Sequence, residues 1–159
     1  MKLLRELRDG WEYELNPQEA ACLRMLVGEF PFTPALPARI TRTESGRKAA
    51  KREQLLNKSL AEHRGELKRQ ATKLIASGRL KAGQAGWRLS LNLEEREILL
   101  QLLNDIRVGS WRALGEPDTL ETELPPASGK AQRFYSLVQL AGFFEVKLLG
   151  LQDGEEREN

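Results

Sequence analysis

A chain of 159 residues, 40% hydrophobic and 30% charged, is long enough to bury one core and has no apolar run of membrane-spanning length. One cysteine and one histidine exclude an internal disulfide and a His/Cys metal site, so no cofactor and no metal is expected. The net charge of +2 hides a split: residues 39–81 carry 13 Lys and Arg against 4 Asp and Glu, and the remainder carries 12 against 19.

Residues 1–9 form a charged lead-in, too charged and short for a signal peptide, which makes the cytoplasm the expected location. Trp11–Leu15 reads as a first strand. Asn16 caps a helix over 17–29, and Pro17 stands at its first position, where a missing N–H costs nothing. Leu23, Leu26 and Val27 give that helix its apolar face, with Cys22 as a small core residue in the same pattern. Gly28 and three prolines in 31–46 then impose an extended loop.

A long amphipathic helix is predicted over 47–77, stopped by Gly78. Leu56, Leu60, His63, Leu67 and Leu74 recur at spacings of three, four and seven and mark its buried seam. His63 on that seam reads as a buried packing residue, with a catalytic role as the alternative. The opposite side carries Arg47, Lys51, Lys58, Arg69 and Lys73. Gly65 costs about 1 kcal/mol relative to Ala and permits a kink. Residues 78–86 read as a glycine-rich hinge.

Trp87, Leu89 and Leu91 alternate with Arg88 and Ser90, the period of a half-buried strand. Asn92 and Glu95 form a capping box, and Ile98, Leu99, Leu102, Leu103 and Ile106 build the broadest apolar helix face in the chain. Glu94, Glu95 and Glu97 in its first turn meet the positive end of the helix dipole, which explains them without catalysis. Gly115 and Pro117 end this helix. An acidic, proline-bearing surface loop follows. The last helix runs from residue 128 or 129 to 149, with Phe134, Leu137, Ala141, Phe144 and Leu148 as its buried stripe. Residues 153–159 read as an acidic disordered tail.

Residues 11–27 align with 87–103 without a gap: Trp11 on Trp87, Leu15 on Leu91, Asn16 on Asn92 and Glu19 on Glu95. Both are strand, Asn cap, helix, and two such strands can pair as a small antiparallel ribbon. Chance similarity is the competing account, because capping chemistry itself selects Asn and Glu.

Three features carry functional readings. Lys51, Lys58, Arg69 and Lys73 can follow a phosphate backbone, but no aromatic residue is interleaved over 39–81, so base stacking is unsupported. A solvated face, or a contact with the acidic loop within the chain or across a homodimer, are the other readings. Asn104, Asp105 and Arg107 form the second feature. Asn and Asp are disfavoured mid-helix, and Asp105 and Arg107 flank opposite edges of the apolar face, where each can fasten a neighbouring element or hold a ligand. Third, the runs at 45–48 and 128–131 each precede a helix, where free N–H groups bind anions, but neither has the phosphate-loop pattern.

The segments ELNPQEAACLRMLVGEF, LLNDIRVGSWRALG and RFYSLVQLAGFFEVKLL resemble those of an uncharacterised bacterial domain family, with 103–107 as the most specific part. Where that family keeps a Leu-Gly-Thr type run, this chain has Val108-Gly109-Ser110-Trp111. The resemblance implies no activity, cofactor or catalytic residue. The family's genes often lie near that of the Clp protease adaptor, which implies a regulatory or proteostasis role.

The expectation is a single mainly helical domain over 1–152, a bundle of about four helices with a small two-stranded antiparallel ribbon. The functional expectation is a cytoplasmic, non-enzymatic adaptor acting through a protein partner, with nucleic-acid binding through 47–77 as the alternative. An enzyme with an unrecognised carboxylate or histidine site is third.

Overall fold

The structure, a computed structural model, describes residues 1–34, 46–118 and 129–151. Its elements are β1 (Lys2–Leu7), β2 (Gly10–Leu15), α1 (Pro17–Glu29), α2 (Arg47–Ala76), β3 (Leu80–Ala82), β4 (Trp87–Asn92), α3 (Leu93–Ala113) and α4 (Gly129–Leu149). The strands form one antiparallel sheet in the order β1-β2-β4-β3. The expected ribbon is the β2–β4 pair at its centre. Two further strands correct the two-stranded expectation, so the fold is mixed and helix-dominated.

Each extra strand lacks a readable pattern for a physical reason. β1 is an edge strand with no buried residue, so nothing selects alternation, and its Lys, Arg and Glu discourage pairing with another chain. β3 is three residues between glycine-rich turns, held in register by β4 alone.

The repeat noticed in the sequence is a pseudo-twofold axis in the sheet. Tyr13 pairs with Leu89, its aligned position, and Trp11–Leu91 and Leu15–Trp87 lie symmetrically on either side. The outer registers match as well: Arg5–Glu12 corresponds to Lys81–Arg88, and Glu6–Trp11 to Ala82–Trp87. Even the glycines obey it. A Cβ on Gly10 would stand 2.2 Å from the Leu91 carbonyl oxygen, and one on Gly86 would stand 2.9 Å from that of Leu15. Both sites therefore require glycine for close backbone approach. The two helices bury aligned residues in turn: Leu23 with Leu99, Leu26 with Leu102, Val27 with Leu103. Both begin with a complete capping box, Asn16 with Glu19 and Asn92 with Glu95.

Tyr13, Leu15, Leu89 and Leu91 form the buried sheet face, and all four helices contribute to the single hydrophobic cluster over it. On the other face Glu12 is 8% exposed and lies between Arg5 at 2.6 Å and Arg88 at 3.4 Å. Tryptophan and arginine are exchanged between the halves: Arg24 lies 4.0 Å over the Trp87 ring, and Arg96 lies 4.1 Å over Trp11. The carbonyl of Leu148, at the end of α4, accepts from Arg96 and from the buried Tyr13 hydroxyl. These bonds satisfy a helix end that would otherwise leave a buried acceptor open.

α3 is the central helix, with its most extensive contact on α4 and a second on α2. α2 runs unbroken through Gly65. Its C-terminal half buries Leu67, Ala71 and Leu74. Its N-terminal half does not follow the predicted seam. Leu56 and Leu60 are 42% and 40% exposed, Leu55 is 60% exposed, and His63 is exposed rather than buried. At about 1.5 Å per residue, positions 47–60 make an arm roughly 20 Å long. The helix is continuous, so Leu56 and Leu60 prolong the stripe of Leu67, Ala71 and Leu74, but they are left exposed. The predicted acidic tail and most of the acidic loop lie outside the described residues.

Candidate functional site

The arm meets the body at a cleft of about 390 Å³ between α2 and α3, roofed by Thr33 and Pro34. Leu60 and Leu67 from α2 and Val108 from α3 supply its apolar lining. His63, Arg64, Asn104 and Asp105 supply the polar groups. Arg64 organises it. Its Nε donates to Asp105 Oδ2 at 2.9 Å, its Nη2 to Asp105 Oδ1 at 2.5 Å, and its Nη1 to the Thr33 carbonyl at 2.8 Å. The Arg64 side chain is only 12% exposed, so this two-pronged pair is partly screened from water. One turn on, the Lys68 ammonium donates to the Val27 and Gly28 carbonyls and supplies the positive charge that the last turn of α1 lacks.

Thr33 reaches α3 because position 109 is glycine. A Cβ there would lie 2.5 Å from the Thr33 hydroxyl oxygen. Next to it Ser110 is fully buried, and Trp111 Nε1 donates to the Pro117 carbonyl at 3.1 Å. Gly109 thus lets Thr33 pack on α3, and Trp111 ties down the turn after it.

The structure brings Asn104, Asp105 and Arg107 into two different contacts. Asp105 faces α2 through Arg64. Arg107 faces α4, with Nε 2.7 Å from Glu145 Oε2, and its Nη2 donates to Asn104 Oδ1 at 3.0 Å. The two charges therefore fasten α3 to the helices on either side of it. His63 lines the same cleft as Asp105, both of whose oxygens accept from Arg64.

Lys51, Lys58, Arg69 and Lys73 are all exposed along α2 and are not gathered into the cleft. Acidic residues interleave with them. Arg69 pairs with Glu66 at 2.5 Å and Lys58 with Glu62 at 4.0 Å, while Lys51 and Lys73 have no ion-pair partner among the described residues. Arg69 and its hydrogen bond hold the Glu66 carboxyl below the usual carboxylate range. Arg69 and Lys73 also border a wider groove of about 800 Å³ against the start of α3, where Glu94 and Glu95 stand opposite and Arg79 pairs with Glu95 at 2.7 Å. Of the two helix-start runs, Gly46 and Gly129 have positive φ, and α2 begins without a side-chain cap. Ser45 and Ser128 lie outside the described residues. Among the described residues no group of three or more His, Cys, Asp or Glu is placed to hold a metal ion. Cys22 is a free, half-buried thiol against the core. No described helix is long and apolar enough to cross a membrane.

The sequence reading missed Arg64, Lys68 and Glu145. The first two did leave a signal: cations four residues apart, one step off the apolar seam, aimed where a neighbouring helix must lie. No family model, no curated protein and no solved structure matches this chain.

Proposed function

We propose that this chain is a cytoplasmic, non-enzymatic accessory protein of the adaptor type, and that the arm of α2 is its protein-binding element. One observation carries the reading: the apolar stripe that is core over Leu67, Ala71 and Leu74 continues into Leu56 and Leu60, which are left in water. Burying a leucine stabilises a contact by about 1.5–3 kcal/mol, and contiguous apolar patches on a charged surface mark interaction sites. The resemblance to a family encoded near the Clp protease adaptor points the same way.

The test is cross-linked co-purification from native lysate with the wild type and with Leu56→Ser/Leu60→Ser, whose helicity is checked by circular dichroism. A specific protein lost with the double variant is the expected result. Identical capture by both proteins would count against the arm.

A second reading is nucleic-acid binding along α2, favoured by the exposure of Lys51, Lys58, Arg69 and Lys73. Glu62 and Glu66 on the same side oppose it. If it holds, affinity for duplex or single strands falls steeply with salt and with Lys51→Glu/Lys58→Glu/Arg69→Glu. Unchanged affinity in that variant would exclude it.

A further inference from the structure

We propose that the arm of α2 binds a second copy of itself, as an antiparallel helix pair whose twofold axis passes between Leu56 and Leu60. This rests on the reading of the arm as the contact element and names its occupant.

Positions 49, 53, 56, 60, 63 and 67 alternate at spacings of four and three, the seam of a two-helix coiled coil, and are occupied by Ala, Glu, Leu, Leu, His and Leu. Such a seam tolerates few polar residues unless they find partners across the interface. The antiparallel register supplies them. It sets Leu56 against Leu60 of the other copy, twice by symmetry, and Glu53 against His63, again twice. The pairing ends there, because the next layer would set Ala49 against Leu67, which is already part of the core. A parallel pair would instead set Glu53 on Glu53 and His63 on His63. Hydrogen-bond complementarity between the Glu53 carboxylate and the His63 imidazole thus selects both a copy of this chain and one direction. Glu53, Leu56, Leu60 and His63 are all exposed, so these four central positions are open to meet their copy, while Leu67 at one end is already core.

The experiment uses the full chain. Sedimentation velocity should show a concentration-dependent dimer. Leu56→Glu/Leu60→Glu should raise its dissociation constant by about 100-fold or more, with the helical signal retained, since two central apolar layers are lost. Register is read in a Cys22→Ser background. Glu53→Cys mixed with His63→Cys should form a mixed disulfide under mild oxidation, and neither alone should cross-link efficiently. Self-linking of each alone without the mixed product would overturn the antiparallel register. A wild type that stays monomeric at its highest soluble concentration would overturn self-association. In that case, loss of a lysate partner in Leu56→Ser/Leu60→Ser would leave the arm as a contact element for a foreign protein. Unaltered capture would remove the arm reading too.

Discussion

Ser110 is fully buried in α3, and its hydroxyl has no hydrogen-bond partner among the described residues. An unpaired buried hydroxyl costs about 1–3 kcal/mol, while alanine at the same place loses one atom of packing. Ser110→Ala should therefore raise unfolding stability by about 1 kcal/mol in urea titration, and a decrease would show that the hydroxyl is bonded in solution. Glu12 behaves in the opposite sense. Burial alone raises its carboxyl, but the hydrogen bonds and charges of Arg5 and Arg88 outweigh it and hold the group below its ordinary 4.5. A carboxyl lowered on folding stabilises above its unfolded value and loses that contribution as pH falls through the folded one. The stability gap between wild type and Glu12→Gln should be steady near neutrality and close below about pH 4.5. A gap that persists in acid would assign Glu12 a packing role instead. Asp105→Ala leaves Arg64 partly buried without its carboxylate and should cost about 2 kcal/mol, whereas Arg69→Ala, on an exposed pair, should change stability by less than about 0.5 kcal/mol. Equal costs in urea titration would show that the cleft pair is no better shielded than the surface one. Asp105 and Arg107 were legible as charges at the edges of an apolar face. Their partners were not, because Arg64 and Glu145 are brought to them by helix packing across 41 and 38 positions of chain.

At the scale of the element, α2 is where pattern and structure part company. Periodicity reports which side of a helix is apolar; of the predicted seam Leu67 and Leu74 are buried, while Leu56, Leu60 and His63 are exposed. It cannot report how far the partner helix extends, and α3 ends before the arm does. The same limit hid β1, whose edge position selects no alternation, and β3, which is shorter than any usable period. The capping boxes of α1 and α3 were legible to the residue, because capping is local chemistry between positions three apart. Amide hydrogen exchange should divide α2 in two. Residues 67–76 should be protected to the global limit and 47–60 should exchange faster, with protection rising with protein concentration as the arms pair. Uniform protection at high dilution would mean that the arm is buried within one chain. Gly65→Ala tests continuity between the halves. Its Cβ would meet only the Arg69 guanidinium at 3.6 Å, an ordinary contact, so the substitution should stabilise by up to about 1 kcal/mol.

At the scale of the whole molecule, the two strand–strand–helix units share one sheet and one core rather than standing as separate lobes. The gapless alignment of 11–27 with 87–103 showed the repeat. The sheet register, centred on Tyr13 and Leu89, shows that the copies face one another across an axis. Each depends on the other: Trp11 is covered by Arg96, Trp87 by Arg24, and the buried strand face of one half packs in the same cluster as that of the other. Neither unit can lose its structure without exposing the apolar face of its twin, so unfolding should be a single cooperative transition. In Trp111→Phe, fluorescence then reports Trp11 and Trp87 at the junction of the halves, while far-ultraviolet circular dichroism reports the helices. The two denaturation curves should coincide, and separated midpoints would mean that the halves fold independently. Paired arms add one more dependence. A dimer that exists only in the folded state raises the midpoint as protein concentration rises. That rise should be present in the wild type and absent in Leu56→Glu/Leu60→Glu, because only the arm, and not the shared core, changes between them.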